Sequence, residues 1–277
     1  MDYPENGREK PDKQVLNTAI EAAKIGGEVL LTHMSRVQHY DIEQKGAFDY
    51  ATEVDHASEK AIIDYILSRY PDHRILAEEG GEIGGTGVYR WVIDPLDGTT
   101  NYIHGVRMFA VSIAAMRGDI PVVGVVYDPV RGEMFAAAMG HGAYLNGTPI
   151  KVSEHRHMHE CLLATGFPFR CKELIEPYLQ SFQTFFGRAR DIRRMGSAAL
   201  DLAYVAAGRF DGFWELKLNR WDIAAGVVLI KEAGGEVSGF LEGEDYWRTG
   251  NIVASNGHIH EELLEVVQRI FEGKLEI

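Results

Sequence analysis

Apolar residues fall at helical spacing at Val15, Leu16, Ala19, Ile20, Ala23, Leu30 and Leu31, which predicts an amphipathic helix from about Asp12 to Met34. Gly26-Gly27 inside it marks a close approach to a neighbouring element. Val37 to Gln44 alternates and reads as a short strand; Lys45 to Asp55 follows as a polar loop, before a second helix bearing Ile62, Ile63, Ile66 and Leu67 with Asp55 at its N-cap. Arg74-Ile75-Leu76-Ala77 is a short strand running into Glu78-Glu79. The run Trp91-Val92-Ile93 is a buried strand that should stop at Asp94-Pro95, because proline cannot donate to a sheet ladder. Beyond it, Ala110 to Met116, Val122 to Tyr127 and Met134 to Ala138 are apolar runs separated by Arg-Gly-Asp and Pro-Val-Arg-Gly, an antiparallel meander.

Asn146-Gly147 marks a further turn, and a boundary there divides an N-terminal α+β half, 1–147, from a C-terminal α/β half, 148–277. In the second half strands and helices alternate: strand Cys161 to Thr165, helix Glu173 to Phe186, strand Asp191 to Arg194, helix Ala198 to Ala207, strand Gly212 to Leu216, helix Ile223 to Ala233, strand Ile252 to Ser255 and helix His258 to Phe271.

The 277 residues can bury one large core or two closely packed halves. A net charge of −13 argues against nucleic acid or an anionic membrane as a general partner. Cys161 and Cys171 lack a metal-ligand pattern and fit a reducing cytoplasm. No apolar stretch is long enough to span a bilayer, and Met1 to Pro11 has no apolar signal-peptide core.

Chemistry concentrates in Asp94-Pro95-Leu96-Asp97-Gly98-Thr99-Thr100-Asn101. A chain reversal at Pro95 and Leu96 would point both carboxylates to one side, where they repel unless a divalent cation sits between them. A hard, oxygen-liganded ion such as Mg²⁺ is the natural candidate. Gly98 permits close backbone approach, and a helix opening after it would aim free N–H groups at an anion. Metal and anion together point to a phosphate ester, although Asp-Pro and Asp-Gly are also common in plain surface turns. Of Glu78 and Glu79 only one can face the site, and Glu78 is the choice. Asp222 stands just before an apolar helix, as an N-cap that could also reach a cation shared with Asp94 and Asp97. His155, His157 and His159 alternate as on one strand face and could bind a metal, but read rather as a solvated edge segment or adventitious site, since nothing nearby completes a ligand set.

Taken together, Ala77-Glu78-Glu79, the Asp94 to Asn101 motif, Trp221-Asp222-Ile223-Ala224-Ala225-Gly226 and Glu232-Ala233-Gly234-Gly235 resemble the inositol monophosphatase family of Mg²⁺-dependent, lithium-sensitive phosphatases. The likeness runs from about Val15 to Phe271, and Arg193 to Gly208 is especially similar to bacterial members. Ala77 stands where many relatives have glycine. The resemblance implies a layered α-β-α-β-α sandwich of the sugar phosphatase type, assembled as a homodimer, with two or three Mg²⁺ per site and a small phosphorylated polyol or sugar as substrate. It implies that Glu78, Asp94 and the Leu96 carbonyl hold one Mg²⁺, that Asp94, Asp97 and Asp222 hold a second, and that Asp55 helps position a third through water. Lys45 matches a lysine on a loop that visits the site, and Glu215 with Gly196, Ser197 and Ala198 matches positions that contact the sugar-alcohol ring.

The expected reaction is hydrolysis of inositol monophosphate by water, with Glu78 and the Thr99 hydroxyl orienting the nucleophile, Asp94 bridging two ions and the Gly98 and Thr99 N–H groups binding phosphate. Rival substrates are the 3′-phosphate of an adenosine bisphosphate and the 1-phosphate of fructose bisphosphate. A rival of another class is a regulatory or scaffolding protein that keeps the fold.

Overall fold

Successive residues of a strand point to opposite sides of its sheet, and in the central strands both sides are apolar. In the computed structural model the described residues are 13–34, 42–46 and 49–275, the side chains of 42–46 and 49–52 excepted. The larger sheet has eight strands in the order β10-β9-β8-β7-β6-β5-β3-β4. They are β3 (Arg74–Ala77), β4 (Gly81–Ile83), β5 (Tyr89–Asp97), β6 (Ala110–Arg117), β7 (Ile120–Asp128), β8 (Glu133–Ala138), β9 (Ala143–Leu145) and β10 (Thr148–Ile150). All neighbours pair antiparallel except β3 with β5, which run parallel.

One face of this sheet, including Trp91, Ile93, Val111, Ile113, Val123 and Val125, packs against α1 (Lys13–His33) and α2 (Glu53–Arg69). The other face, with Val92, Ala110, Ala114, Val126 and Phe135, packs against α5 (Ala198–Ala206) and α6 (Arg220–Glu232). The glycine pair of α1 does what its spacing foretold: a Cβ on Gly26 would lie 2.7 Å from Ile62 Cδ1 of α2, and one on Gly27 would lie 2.6 Å from Tyr127 of β7.

The smaller sheet has five strands in the order β12-β11-β13-β15-β14: β11 (Leu162–Thr165), β12 (Asp191–Arg193), β13 (Gly212–Glu215), β14 (Glu236–Ser238) and β15 (Ile252–Ser255). It is mixed, with β11 parallel to β12 and β13, and β15 antiparallel to β13 and β14. Ala164, Phe213, Ile252 and Ala254 face α5 and α6, while Leu163, Trp214 and Val253 face α4 (Ile175–Phe186) and α8 (His260–Phe271). Burial of each such large side chain stabilises by about 1.5–3 kcal/mol. The layers therefore run helix, sheet, helix, sheet, helix, the expected sandwich, with α5 and α6 at its centre.

Several expectations need correction. The strand through Trp91 does not end at Pro95; β5 continues to Asp97 by way of an irregularity described below. Asp55 is not an N-cap, because α2 begins at Glu53 and places it in the first turn. Asp222 is not one either: α6 begins at Arg220, and the cap is Asn219. Of the strand expected over Val37 to Gln44, residues 42–44 belong to β1 (Ile42–Gly46) and 37–41 lie outside the described residues; the stretch expected as a polar loop carries the end of β1 and all of its antiparallel partner β2 (Asp49–Thr52). The helix expected from Glu173 starts at Ile175, after a 3₁₀ turn at Lys172–Leu174. The histidine segment is not a strand: His157 ends an extended coil before the 3₁₀ turn Met158–Glu160, and His155 bonds through Nδ1 to buried Asp211.

Candidate active site

Asp94 pairs with Ser112 of β6 and Asp97 pairs with Ala110, so three steps on β5 face two steps on its partner. That one extra residue is a β-bulge. In a regular strand, residues three apart point to opposite faces; the bulge shifts the phase and turns Asp97 to the side of Asp94. The Ser58 hydroxyl of α2 pins it by donating to the Pro95 carbonyl at 3.2 Å. Opposite Asp94, the Ser112 hydroxyl donates to the carbonyl of Trp221 at 3.2 Å and so fastens the start of α6 to the same spot. As a result one carboxylate oxygen each of Asp94, Asp97 and Asp222 lies within 4.8 Å of the others, and all three residues are buried.

Each acid is held by the backbone beside it. Asp94 Oδ1 accepts from the Leu96 N–H at 2.9 Å, Asp222 Oδ2 from the Asn219 N–H at 2.6 Å, and Asp97 Oδ2 from Ser197 Oγ at 2.5 Å and the Ala199 N–H at 2.7 Å. These bonds do not offset desolvation. Burial, together with the charges of Glu78, Asp97 and Asp222, raises the Asp94 carboxyl well above the usual range. Burial pushes Asp97 up to about 6 and Asp222 to about 7, the latter against the lowering effect of Arg170, whose Nη1 lies 3.6 Å from Asp222 Oδ2. Three buried carboxylates that repel one another, with oxygens left over, are a donor set for a hard divalent cation. The residues fit Mg²⁺ on that chemistry.

Glu78 follows β3, its N–H bonded to the Ile93 carbonyl at 3.2 Å, and it lines the cavity over the three aspartates without being one of the close group. Its turn is set from α2, where the buried Glu59 carboxylate accepts from the N–H groups of Glu79 and Gly80 at 2.8 and 2.7 Å. Gly98 adopts φ +96°, a conformation that needs glycine, and a Cβ there would sit 3.0 Å from the Met108 carbonyl. It leads into the short helix α3 (Thr99–Ile103). The Thr99 hydroxyl lies 3.3 Å from Asp55 Oδ1 and 3.0 Å from the Leu96 carbonyl. Asp55 is thus placed behind Thr99. Asn101 ties α3 to the segment leading into β6 and to the turn before α5, its Nδ2 donating to the Met108 and Met195 carbonyls at 2.8 and 2.9 Å.

A cavity of about 360 Å³ opens over the cluster, lined by Glu78, Asp94, Leu96, Asp97, Gly98, Thr99 and Asp222 on one side and by Gly196, Ser197, Ala198 and Glu215 on the other. All the site residues read from the sequence therefore meet there except Asp55, one layer behind, and Lys45, which lies on β1 with its side chain outside the described residues. Glu215 is buried, its carboxyl pushed up to about 8 by desolvation against the opposing charge of Arg194, and Gly166 leaves it room, since a Cβ there would come within 2.0 Å of Oε1. Sequence reasoning missed Asp201, Arg170, Arg194 and Phe167, which also line the cavity, and Ser58 and Glu59, which brace it. The run Arg193 to Gly208 was noticed as a segment, but nothing in it singled out Asp201.

The description "Inositol monophosphatase family" matches residues 12–272. The Nus factor SuhB of Pseudomonas aeruginosa is 47 % identical over 259 residues, spanning 92 % of this chain and 96 % of that protein. Among solved structures, the extragenic suppressor protein suhB from Bartonella henselae superposes with a TM-score of 0.89 at 40 % identity, over 92 % of this chain and 99 % of that one. The inositol monophosphatase from Anabaena superposes with a TM-score of 0.83, again at 40 % identity, over 93 % and 96 %. With the family matched over nearly the whole length and the sandwich shared, this chain belongs to the inositol monophosphatase family.

Proposed function

We propose that the chain is a Mg²⁺-dependent phosphomonoesterase that hydrolyses a small polyol phosphate, inositol monophosphate foremost. The observation that carries this is the convergence of three buried acids on one point beneath a cavity: Asp94 and Asp97 from one strand, and Asp222 from a helix more than a hundred residues further along. With Glu78 and the Leu96 carbonyl they would hold two or three Mg²⁺. When bound, those ions screen the phosphate's charge and acidify water.

The chain's own groups supply the rest. Thr99, oriented by Asp55, presents its hydroxyl lone pairs to the attacking water, and Glu78 on the same wall takes its proton. The N–H groups of Gly98 and Thr99 steady the phosphate oxygens. Glu215 and the Gly196 to Ala198 turn receive the alcohol, and Asp222 stands beside them where the leaving oxygen departs.

A homodimer is supported by α4, whose outer side shows Ile175, Leu179 and Phe186 exposed, with Phe182 stacked on Phe186 at 6.2 Å. Such a stripe is a surface that solvent leaves uncovered only at a cost. A reducing, cytoplasmic setting is supported by Cys161 and Cys171, both buried free thiols. No helix among the described residues is long and apolar enough to cross a membrane.

Phosphate release from inositol 1-phosphate with and without Mg²⁺, beside adenosine 3′,5′-bisphosphate and fructose 1,6-bisphosphate, tests the reading; preference for either rival ester would displace inositol phosphate. A second reading, a factor role such as the P. aeruginosa relative's name carries, is favoured by the 47 % identity to that protein. Complementation of a strain lacking this gene by Asp94→Asn would show a role that does not need turnover.

A further inference from the structure

Asp201 sits in the first turn of α5, 1 % exposed, and lines the cavity beside Glu215. The free N–H groups at the start of α5 are engaged by others: the Ala199 N–H donates to Asp97, and the Leu200 N–H donates to Oγ of the N-cap Ser197, whose own hydroxyl donates to Asp97. Asp201 Oδ1 is left buried with no hydrogen-bond partner among the described residues. Such an atom loses its hydration on folding and gets nothing in return, unless a ligand completes it.

The groups that face it narrow the ligand. Burial and the acids Glu215 and Asp97 hold the Asp201 carboxyl well above its usual range, while Arg194 opposes them. With Asp201, Glu215 and Asp97 on the same wall, a further anion is a poor occupant, and a simple apolar group would leave the oxygen orphaned. A hydroxyl both donates and accepts, so it satisfies the carboxyl in either protonation state. We infer that Asp201 is a specificity-determining residue that exchanges a hydrogen bond with a hydroxyl on the alcohol moiety of the substrate, beside Glu215. The inference rests on the phosphomonoesterase reading and adds to it the residue by which a hydroxyl of the alcohol is recognised.

The test compares inositol 1-phosphate with cyclohexyl phosphate, which keeps the ring and the ester but lacks the ring hydroxyls, using wild-type chain, Asp201→Ala and the volume-conserving Asp201→Asn, all with Mg²⁺. A site built to bond a hydroxyl discriminates against its absence, so Asp201→Ala should lower kcat/KM for inositol 1-phosphate by about tenfold or more while changing cyclohexyl phosphate less than about twofold, with Asp201→Asn between. Turnover of cyclohexyl phosphate by the same preparation reports an intact fold and metal site. Equal losses on both esters would assign Asp201 to the support of the fold and overturn the inference, as would an unchanged ratio. Wild-type turnover of cyclohexyl phosphate alone would overturn the hydroxyl preference and leave the phosphatase standing. Turnover of neither ester would bring down the phosphatase reading and the inference with it.

Discussion

Asp94 and Asp97 face the same side of β5 because the strand carries one more residue between them than β6 does between Ser112 and Ala110. The pairing of like charges is built into the backbone, and its energetic cost is borne by the fold until a cation arrives. Asp94→Asn removes charge without volume. It should reduce Mg²⁺-dependent phosphate release by more than about 100-fold while the melting temperature in chelator stays the same or rises. Wild-type release rates in that variant would contradict the assignment.

Burial of these acids, with their mutual repulsion added, sets a pH dependence. Asp97, Asp222 and Glu215 are raised to about 6, 7 and 8, and Asp94 is raised also. In the unfolded chain these groups lose their protons near pH 4. Between there and pH 8 the folded state binds more protons than the unfolded one, so stability falls as pH rises. In chelator the melting temperature should drop steadily from pH 5 to pH 8, and saturating Mg²⁺ should flatten the slope. A slope of the opposite sign in chelator would show that burial does not hold these acids above their ordinary range.

Thr99 stands between Asp55 and the cavity. Thr99→Ala should lower kcat by about 10²-fold or more, the range of a lost acid–base group, with a much smaller change in KM. Steady-state kinetics separates the two constants. An unchanged kcat with a raised KM would make Thr99 a binding group only.

Gly124 of β7 is where α6, the helix that carries Asp222, presses on the larger sheet. A Cβ there would lie 2.4 Å from the Ala225 carbonyl. Gly124→Ala should cost about 1–3 kcal/mol of unfolding free energy, read by denaturant titration, and should weaken Mg²⁺ activation by displacing Asp222. Wild-type stability would mean that α6 has slack at this contact.

The continuous apolar runs of Trp91 to Ile93 and of the three meander strands made the larger sheet legible, and the helical spacing around Val15 and the amphipathic segment His258 to Phe271 made an outer helix on each side legible. What stayed hidden was short or non-local. β4, β9 and β14 have three residues each, too few to show a period. Proline at position 95 reads as a strand breaker, and only the pairing with β6 reveals a bulge. Among site residues, Glu78, Asp94, Asp97 and Asp222 were legible because each stands in a motif. Asp201 was not, because one acid in an apolar helical run looks like the polar face of an amphipathic helix. Its burial follows from α5 lying between two sheets, a fact of layering that no local window contains.

The most direct measurement is anomalous diffraction from crystals of the wild-type chain soaked in Mn²⁺ as a stand-in for Mg²⁺. Peaks are expected within coordination distance of carboxylate oxygens of Asp94, Asp97 and Asp222, and they should vanish in Asp94→Asn. Full Mn²⁺ loading elsewhere, with no density among these three acids, would contradict a metal centre at this point of the fold.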